Sequence, residues 1–338
     1  MSYLNGALKG ALQNKNVLVT GATGFVGGRL AQRLATEEGA IVTGTGRNLD
    51  KAAFVKEAGV NLVHADLSDY EKMETVVNNQ EIIFHVAAWL GRHGLGDERA
   101  YKLNVTATES LVKQAAAAGV RRLVLVSSIA AYEFPKTQRI YEDTPLDPEQ
   151  MIIYGRTKAI GEYRATALAN ELGLELTIVR PALVYGPRAD SWTINIVKLI
   201  KKGVPVVFGN GSGTIYPVYV DNLVDGMLLT AVHPAAVGEA FNFSDPVLSM
   251  REFFDYYGNM CGRKPRRLPF WVANIMVTLN KWFNLKLPID PDRLKRLALK
   301  IEYPTTKAEE LLAYKMRVPV PQGMQQTECW LREVGMIE

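Results

Sequence analysis

Val17-Leu-Val-Thr-Gly21-Ala-Thr-Gly24-Phe-Val-Gly27 places three glycines at three-residue spacing between a β-branched run and an amphipathic one. Each glycine has a physical task in such a turn. The first permits the tight bend, the second lets backbone approach a pyrophosphate, and the third lets the following helix pack against the strand. The mouth of that helix offers free N–H groups and the positive end of its dipole to an anion. Leu30 and Leu34 continue the helical spacing. The context is strand, turn, helix, as a dinucleotide-binding loop requires.

An acid that hydrogen-bonds the ribose 2′-hydroxyl of NAD is expected about 20 residues further on. The sequence there reads Thr45-Gly46-Arg47-Asn48 and holds no carboxylate. Arg47 can pair with a 2′-phosphate through its planar guanidinium, which favours NADP(H) and leaves NAD(H) as the second choice. Asp66, in His64-Ala-Asp66-Leu67, can reach an adenine amino group or cap a helix near Ser68 and Asp69. Both readings stay open.

The same alternation fills the first half of the chain. Short apolar runs at Asn16–Thr20, Ile41–Thr45, Asn61–His64, Ile82–Val86, Arg122–Ser127 and Leu174–Val179 read as buried parallel strands. Helical patterns at Phe25–Glu38, Tyr70–Asn79, Glu98–Ala118 and Ile152–Leu172 separate them. The expected fold is α/β, a doubly wound parallel sheet of the Rossmann type. Beyond Pro181, prolines punctuate shorter elements. Helices are expected at Thr193–Lys202, Asn222–Val232, Met250–Cys261, Trp271–Phe283, Asp292–Lys300 and Gln322–Val334, and strands at Val204–Phe208 and Ala240–Phe243. We expect residues 1–185, with about 215–245, to form the dinucleotide-binding domain, and 186–214 and 246–338 a smaller, interleaved C-terminal substrate domain.

Composition narrows the partners. The 338 residues carry 39 basic and 35 acidic side chains, a net charge of +4. The basic residues are dispersed and not interleaved with aromatics, so no nucleic-acid partner is expected. Cys261 and Cys329 lack metal-ligand spacing and read as reduced, mostly buried thiols of a cytoplasmic protein; no metal is expected. Met1–Lys15 lacks the build of a secretory signal, and Leu4, Leu8 and Leu12 suggest a short lead-in helix. No stretch has the length and purity of a membrane span. The nearest, Phe270–Phe283, follows Arg263, Lys264, Arg266 and Arg267 and is interrupted by Asn274, Asn280 and Lys281. It reads as a buried helix, an apolar lid over a substrate, or an interfacial helix with basic anchors and weak membrane contact.

Tyr154-Gly-Arg-Thr-Lys158 opens the helix after the fifth strand. Residues four apart share a helix face. The lysine can therefore lower a phenol pKa that is otherwise about 10, too high for a base near neutrality. The fifth strand ends in Val126-Ser127-Ser128, and ligands bind outside the carboxyl ends of such strands. A serine there can hold a substrate oxygen beside Tyr154, while the other caps the strand end. Asn104 is a poor interior helix residue. It can bind a water in a proton relay to Lys158, or stand as an exposed helical asparagine.

Taken in order, these pieces resemble the extended short-chain dehydrogenase/reductase superfamily. They are Thr20 to Gly27, Asp66-Leu67, His85 to Ala88, Asn104-Val105, Val126 to Ser128, Tyr154 and Lys158 with Gly161-Glu162, Arg180-Pro181, Val184 to Pro187, and Val220 to Leu223. The resemblance implies a catalytic set of Ser128, Tyr154 and Lys158, with Asn104 in support. Ser128 is preferred to Ser127 because it stands four residues before Tyr132. The implied cofactor site comprises Gly21, Thr23, Gly24, Phe25, Val26, Gly27, Arg47, Asp66, Leu67, Ala87, Ala88, Tyr154, Lys158, Pro181 and Val184. A homodimer is implied by analogy.

Nucleotide-sugar epimerases of that superfamily carry an arginine where this chain has Ile215, and sugar dehydratases an acidic pair where it has Ile129-Ala130. Val218-Tyr-Val-Asp-Asn222 is more similar to the 3β-hydroxysteroid dehydrogenase and dihydroflavonol reductase branch. The implied activity is NADP(H)-dependent interconversion of a ketone and a secondary alcohol on a bulky, largely apolar small molecule. Trp192 and Tyr216–Tyr219 are candidate pocket walls. The alternatives are a nucleotide-sugar 4-epimerase with tightly bound NAD and a non-catalytic NADPH-binding sensor.

Overall fold

Successive side chains of a strand point to opposite faces, and here both faces are apolar. Val17 and Val19 enter one core and Leu18 another; Ile82 and Phe84 part from Ile83, and Val124 and Val126 from Leu123 and Leu125, in the same way. Such strands need a helical layer on each side. The computed structural model describes residues 4, 6–91, 97–283 and 299–338. Its strands are β1 (Asn16–Thr20), β2 (Ile41–Gly46), β3 (Asn61–His64), β4 (Ile82–His85), β5 (Arg122–Val126), β6 (Glu175–Pro181), β7 (Leu183–Tyr185), β8 (Val207–Phe208), β9 (Thr214–Ile215), β10 (Pro217–Tyr219), β11 (Ala240–Phe243), β12 (Leu248–Ser249) and β13 (Arg267–Leu268).

Seven of these form one sheet in the order β11-β6-β5-β4-β1-β2-β3, every pairing parallel. Helices α1 (Phe25–Thr36) and α2 (Ala53–Glu57) pack on one face together with α8 (Val220–Val232). On the other lie α3 (Tyr70–Val77), α5 (Ala107–Ala117) and α6 (Ile153–Leu172). Strand order reverses between β1 and β4, which opens a crevice at their carboxyl ends. A separate core gathers Tyr185, Val197, Phe253, Tyr257, Met324 and Leu331. It joins β7, α7 (Asn195–Lys201), α9 (Met250–Met260) and the C-terminal helix Val320–Glu333.

The structure corrects several expectations. The helix expected over Glu98–Ala118 is α4 (Asp97–Tyr101) and α5 joined by a π-turn at Lys102–Thr106. The strand expected at Val204–Phe208 shrinks to β8, and the lead-in helix to a 3₁₀ turn at Gly6–Leu8 whose flanking Leu4 and Leu12 are buried. The five strands β7, β9, β10, β12 and β13 were not expected, because two or three residues are too few to show a period of two. The helix expected at Asp292–Lys300 lies outside the described residues, apart from Leu299 and Lys300, which are not helical. Cys261 is half-buried but Cys329 is exposed, because the outer side of the C-terminal helix faces solvent. Among the described residues no helix is long and apolar enough to cross a membrane. Helix α10 (Phe270–Phe283) buries Ala273 yet leaves Trp271 67% and Ile275 50% exposed, so it is not a core helix throughout.

Asn222 fastens the chain's last segment to the sheet layer. Its amide nitrogen donates to Val318 O (2.8 Å) and Asp245 Oδ1 (2.9 Å), and its Oδ1 accepts from Val318 N (2.9 Å). Asp245 also accepts from Tyr219 N at 2.7 Å. Asn222 is fully buried, so Asn222→Ala strands backbone groups with no water to replace the amide. We expect a loss of about 2–4 kcal/mol in urea unfolding, with no effect outside error counting against this role.

Candidate active site

The glycine loop shows why no larger residue serves. Gly21 has φ of +72° and lies so close to β4's exit that an added Cβ would sit 3.0 Å from the Ala87 backbone. A Cβ on Gly27 would overlap the Gly21 carbonyl oxygen. Gly24 is the N-cap of α1, no side chain caps that helix, and its first turn holds no acid. The mouth of α1, where Phe25 and Val26 begin the helix, is thus left free for an anion, and the loop fits a diphosphate. A Cβ on Gly46 would overlap the Thr23 side chain, which occupies the space a carboxylate at that position would need.

The ends of β1 and β4 are tied by a buried polar chain. His85 Nδ1 lies 2.9 Å from Thr20 Oγ1 and Nε2 lies 3.0 Å from Thr108 Oγ1. The Thr108 hydroxyl donates to Asn104 O, so it can only accept from the imidazole. That assigns a neutral Nε2–H tautomer with Nδ1 accepting from Thr20. Thr20 Oγ1 in turn accepts from the N–H groups of Val86 and Ala87 at 3.1 and 3.2 Å, which holds the Ala87-Ala88 segment against the glycine loop. Burial, reinforced by the Lys158 charge, pushes the His85 pKa down to about 3, so the ring stays neutral.

Helix α6 carries Tyr154 and Lys158 to the carboxyl end of β5. Tyr154 shares a hydrogen bond with the Ser128 side chain, and Ser128 Oγ also accepts from Ala130 N at 3.1 Å. Ser127 is buried, and its hydroxyl has no partner among the described residues. Lys158 is 7% exposed and its Nζ donates to Val126 O at 2.8 Å. Burial lowers its pKa to about 8, against the pull of the Glu162 carboxylate. The expected depression of the Tyr154 pKa is not found. Tyr154 keeps partial solvent contact, yet desolvation of its hydroxyl drives the pKa up and the Ser128 bond only partly opposes it. Lys158 contributes nothing there, because its ammonium is turned to the Val126 carbonyl.

Asn104 stands in the π-turn and is buried, not exposed. Its Nδ2 donates to Trp89 O (3.1 Å) and Thr157 Oγ1 (3.0 Å), and its Oδ1 accepts from Trp89 N (2.7 Å). Both ends of the amide are occupied within the protein. It splices the β4 exit to the residue beside Lys158. Gly161 lets α6 press on that turn, since a Cβ there would overlap Asn104 O.

Further out, Pro181 is buried at the end of β6 and Val184 is half-buried in β7. Asp66 Oδ1 accepts from Ser68 N (2.9 Å) and Oγ (2.8 Å), while Asp69 is the residue that caps α3. Burial would raise the Asp66 pKa, but the Ser68 bonds and Arg47 hold it below the usual range. Arg47 is 63% exposed with its Nε 4.0 Å from Asp66, and Leu67 is half-buried. Trp192 and Tyr216 pack edge-on against Phe253 and Tyr303. A cavity of about 500 Å³ lies between α1, α2, α8 and the C-terminal helix. Of the expected catalytic and cofactor residues it touches only Phe25, and of the candidate pocket walls Tyr219, so it is distinct from the Tyr154 crevice.

Sequence reasoning gave no separate role to Trp89, Thr108, Thr157 or the Arg180–Glu162 pair. The signal for Glu162 was its place one helical turn beyond Lys158.

Residues 17–243 match the NAD dependent epimerase/dehydratase family. The chain is 28% identical over 325 residues to a UDP-glucose 4-epimerase of Vibrio cholerae, covering 93% of this chain and 94% of that protein. It is 28% identical over 345 residues to a 3 beta-hydroxysteroid dehydrogenase/Delta 5-->4-isomerase of Mycobacterium tuberculosis, covering 95% and 91%. The structure of epimerase Mth375 from Methanothermobacter thermautotrophicus superposes with a TM-score of 0.80 over 96% of this chain and 94% of that one, at 22% identity, which supports the fold.

Gly27→Ala drives a methyl into the loop's own carbonyl. We expect dinucleotide affinity to fall at least about tenfold, a loss of about 1.4 kcal/mol, in a fluorescence titration with NADPH; unchanged affinity would remove the loop from the site.

Proposed function

Because the chain belongs to the NAD dependent epimerase/dehydratase family, we propose that it is an NADP(H)-dependent reductase of a ketone on a bulky, largely apolar molecule. The nicotinamide cofactor supplies the hydride when bound. The α1 mouth and glycine loop hold its diphosphate, Ala87 and Ala88 line it, and Pro181 and Val184 flank the ring. Arg47, largely free in solvent, takes the 2′-phosphate.

The observation that carries this reading is the Tyr154–Ser128 hydrogen bond in surroundings that keep the phenol protonated. A protonated phenol is the form that gives a proton to an oxygen gaining negative charge. Ser128 orients the carbonyl oxygen beside it, and the Lys158 ammonium, once released from the Val126 carbonyl, stabilises the phenolate left behind. Two largely exposed apolar side chains, Leu90 at 62% and Met151 at 87%, lie close in the chain to residues of the site. Leu90 follows the Trp89 that Asn104 holds, and Met151 precedes Tyr154 by three residues. They suit an apolar substrate. Ile215, at the place of the sugar-diphosphate arginine, is packed into the second core.

A second reading, a nucleotide-sugar 4-epimerase, is favoured by the Vibrio cholerae relative, which is as similar to this chain as the mycobacterial dehydrogenase. It calls for NAD that co-purifies and a reaction with no net change in cofactor absorbance.

A screen of NADPH and NADH consumption across steroid, flavonoid, β-keto and sugar-nucleotide carbonyls separates the two. On an accepted ketone, Tyr154→Phe is expected to lower kcat/KM by about 10²-fold or more while still binding NADPH. Undiminished reduction would refute the assignment. Arg47→Ala is expected to raise KM for NADPH and leave that for NADH nearly unchanged; an equal effect on both would return the preference to NAD(H).

A further inference from the structure

The proposed reaction leaves one buried charge unused. Glu162 lies on α6 one helical turn beyond Lys158, which is itself one turn beyond Tyr154, so the three share a face. Its side chain is 5% exposed and meets the 7%-exposed Arg180 of β6 at 2.5 Å. Arg180 is fixed in turn, donating to Tyr132 Oη (2.7 Å) and Glu142 O (2.9 Å). Buried ion pairs give little net stability relative to apolar residues of similar volume. Stability therefore does not explain why a carboxylate is buried one helical turn beyond the catalytic lysine.

We propose that Glu162 is a positioning residue that keeps Lys158 protonated, with Arg180 as the clamp that fixes its carboxylate. The surroundings of Lys158 leave it no other negative group among the described residues. From β4 it faces neutral His85, from β5 the Val126 carbonyl, and on its own helix the un-ionised Tyr154 and Glu162; the Arg180 cation lies behind that carboxylate. Burial strips solvation from the ammonium; the Val126 carbonyl replaces one hydrogen bond, and Glu162 is the charge that opposes the loss. With the carboxylate gone, Lys158 would shed its proton within the neutral range and leave the departing phenolate of Tyr154 unsupported. The inference rests on the reductase reading for its catalytic consequence, though not for the ionisation itself.

Two measurements test it. The first is the pH profile of kcat/KM for wild type, Glu162→Gln and Glu162→Asp. The second is NMR titration of ¹³Cε-labelled lysine, with Lys158 assigned by its absence from Lys158→Met. In Glu162→Gln both the alkaline limb and the lysine titration should move to lower pH by about one unit or more, while Glu162→Asp stays with the wild type. If Glu162→Gln does not fold, the double variant Glu162→Met, Arg180→Met replaces the pair by apolar volume and should shift in the same direction but by less, because the repulsion from Arg180 is removed with the carboxylate. A wild-type titration of Lys158 in Glu162→Gln, or in the double variant where Glu162→Gln does not fold, overturns the proposal and leaves Glu162 a structural partner of Arg180. A fully active Tyr154→Phe, by contrast, sinks the reductase reading while the NMR titration still judges Glu162.

Discussion

The site depends on how closely α6 approaches the carboxyl ends of the central strands. Two missing side chains permit it. A Cβ on Gly155 would overlap the Ala130 carbonyl oxygen, and one on Gly161 the Asn104 carbonyl oxygen. At this distance Tyr154 reaches Ser128 and Lys158 reaches the last carbonyl of β5. A helix held one methyl further out would leave both side chains pointing at solvent beside a vacant strand end. The glycine loop applies the same constraint at the other side of the crevice, where Gly21 is pressed on Ala87.

Burial, more than charge pairing, then sets the chemistry. It keeps His85 neutral, brings Lys158 down to about 8 and raises Tyr154. Each shift runs in the direction that desolvation dictates for its group. The neutral imidazole works as a structural donor and acceptor rather than a proton carrier, and it fixes backbone on both sides of the crevice.

Much of this was legible in the sequence, and the reasons are local. β1 and β3 fall on the residues that their apolar runs predicted, and the glycine turn is a matter of steric size within eleven residues. The Tyr154–Lys158 spacing guarantees a shared face on any helix. What the sequence could not show depends on contacts between distant segments. The 104 amide is consumed by Trp89 and Thr157, which no helical pattern foretells. The Tyr154 pKa moves opposite to expectation, because a lysine four residues away acts on a phenol only if its ammonium is not already engaged. Short strands such as β9 and β12 form through pairing with each other, not through any period of their own.

The π-turn at Lys102–Thr106 carries one residue more than an α-helix would use over that span. Each residue of an α-helix advances the chain by about 100°. Wound as a regular α-helix, the same five residues would rotate everything on one side of the stretch by about a quarter turn relative to the other. Either Asn104 would leave the Trp89 backbone, or Leu111, Val112 and Ala115 would leave their core. The wider turn takes up the extra residue, so the surfaces on either side of it are both met.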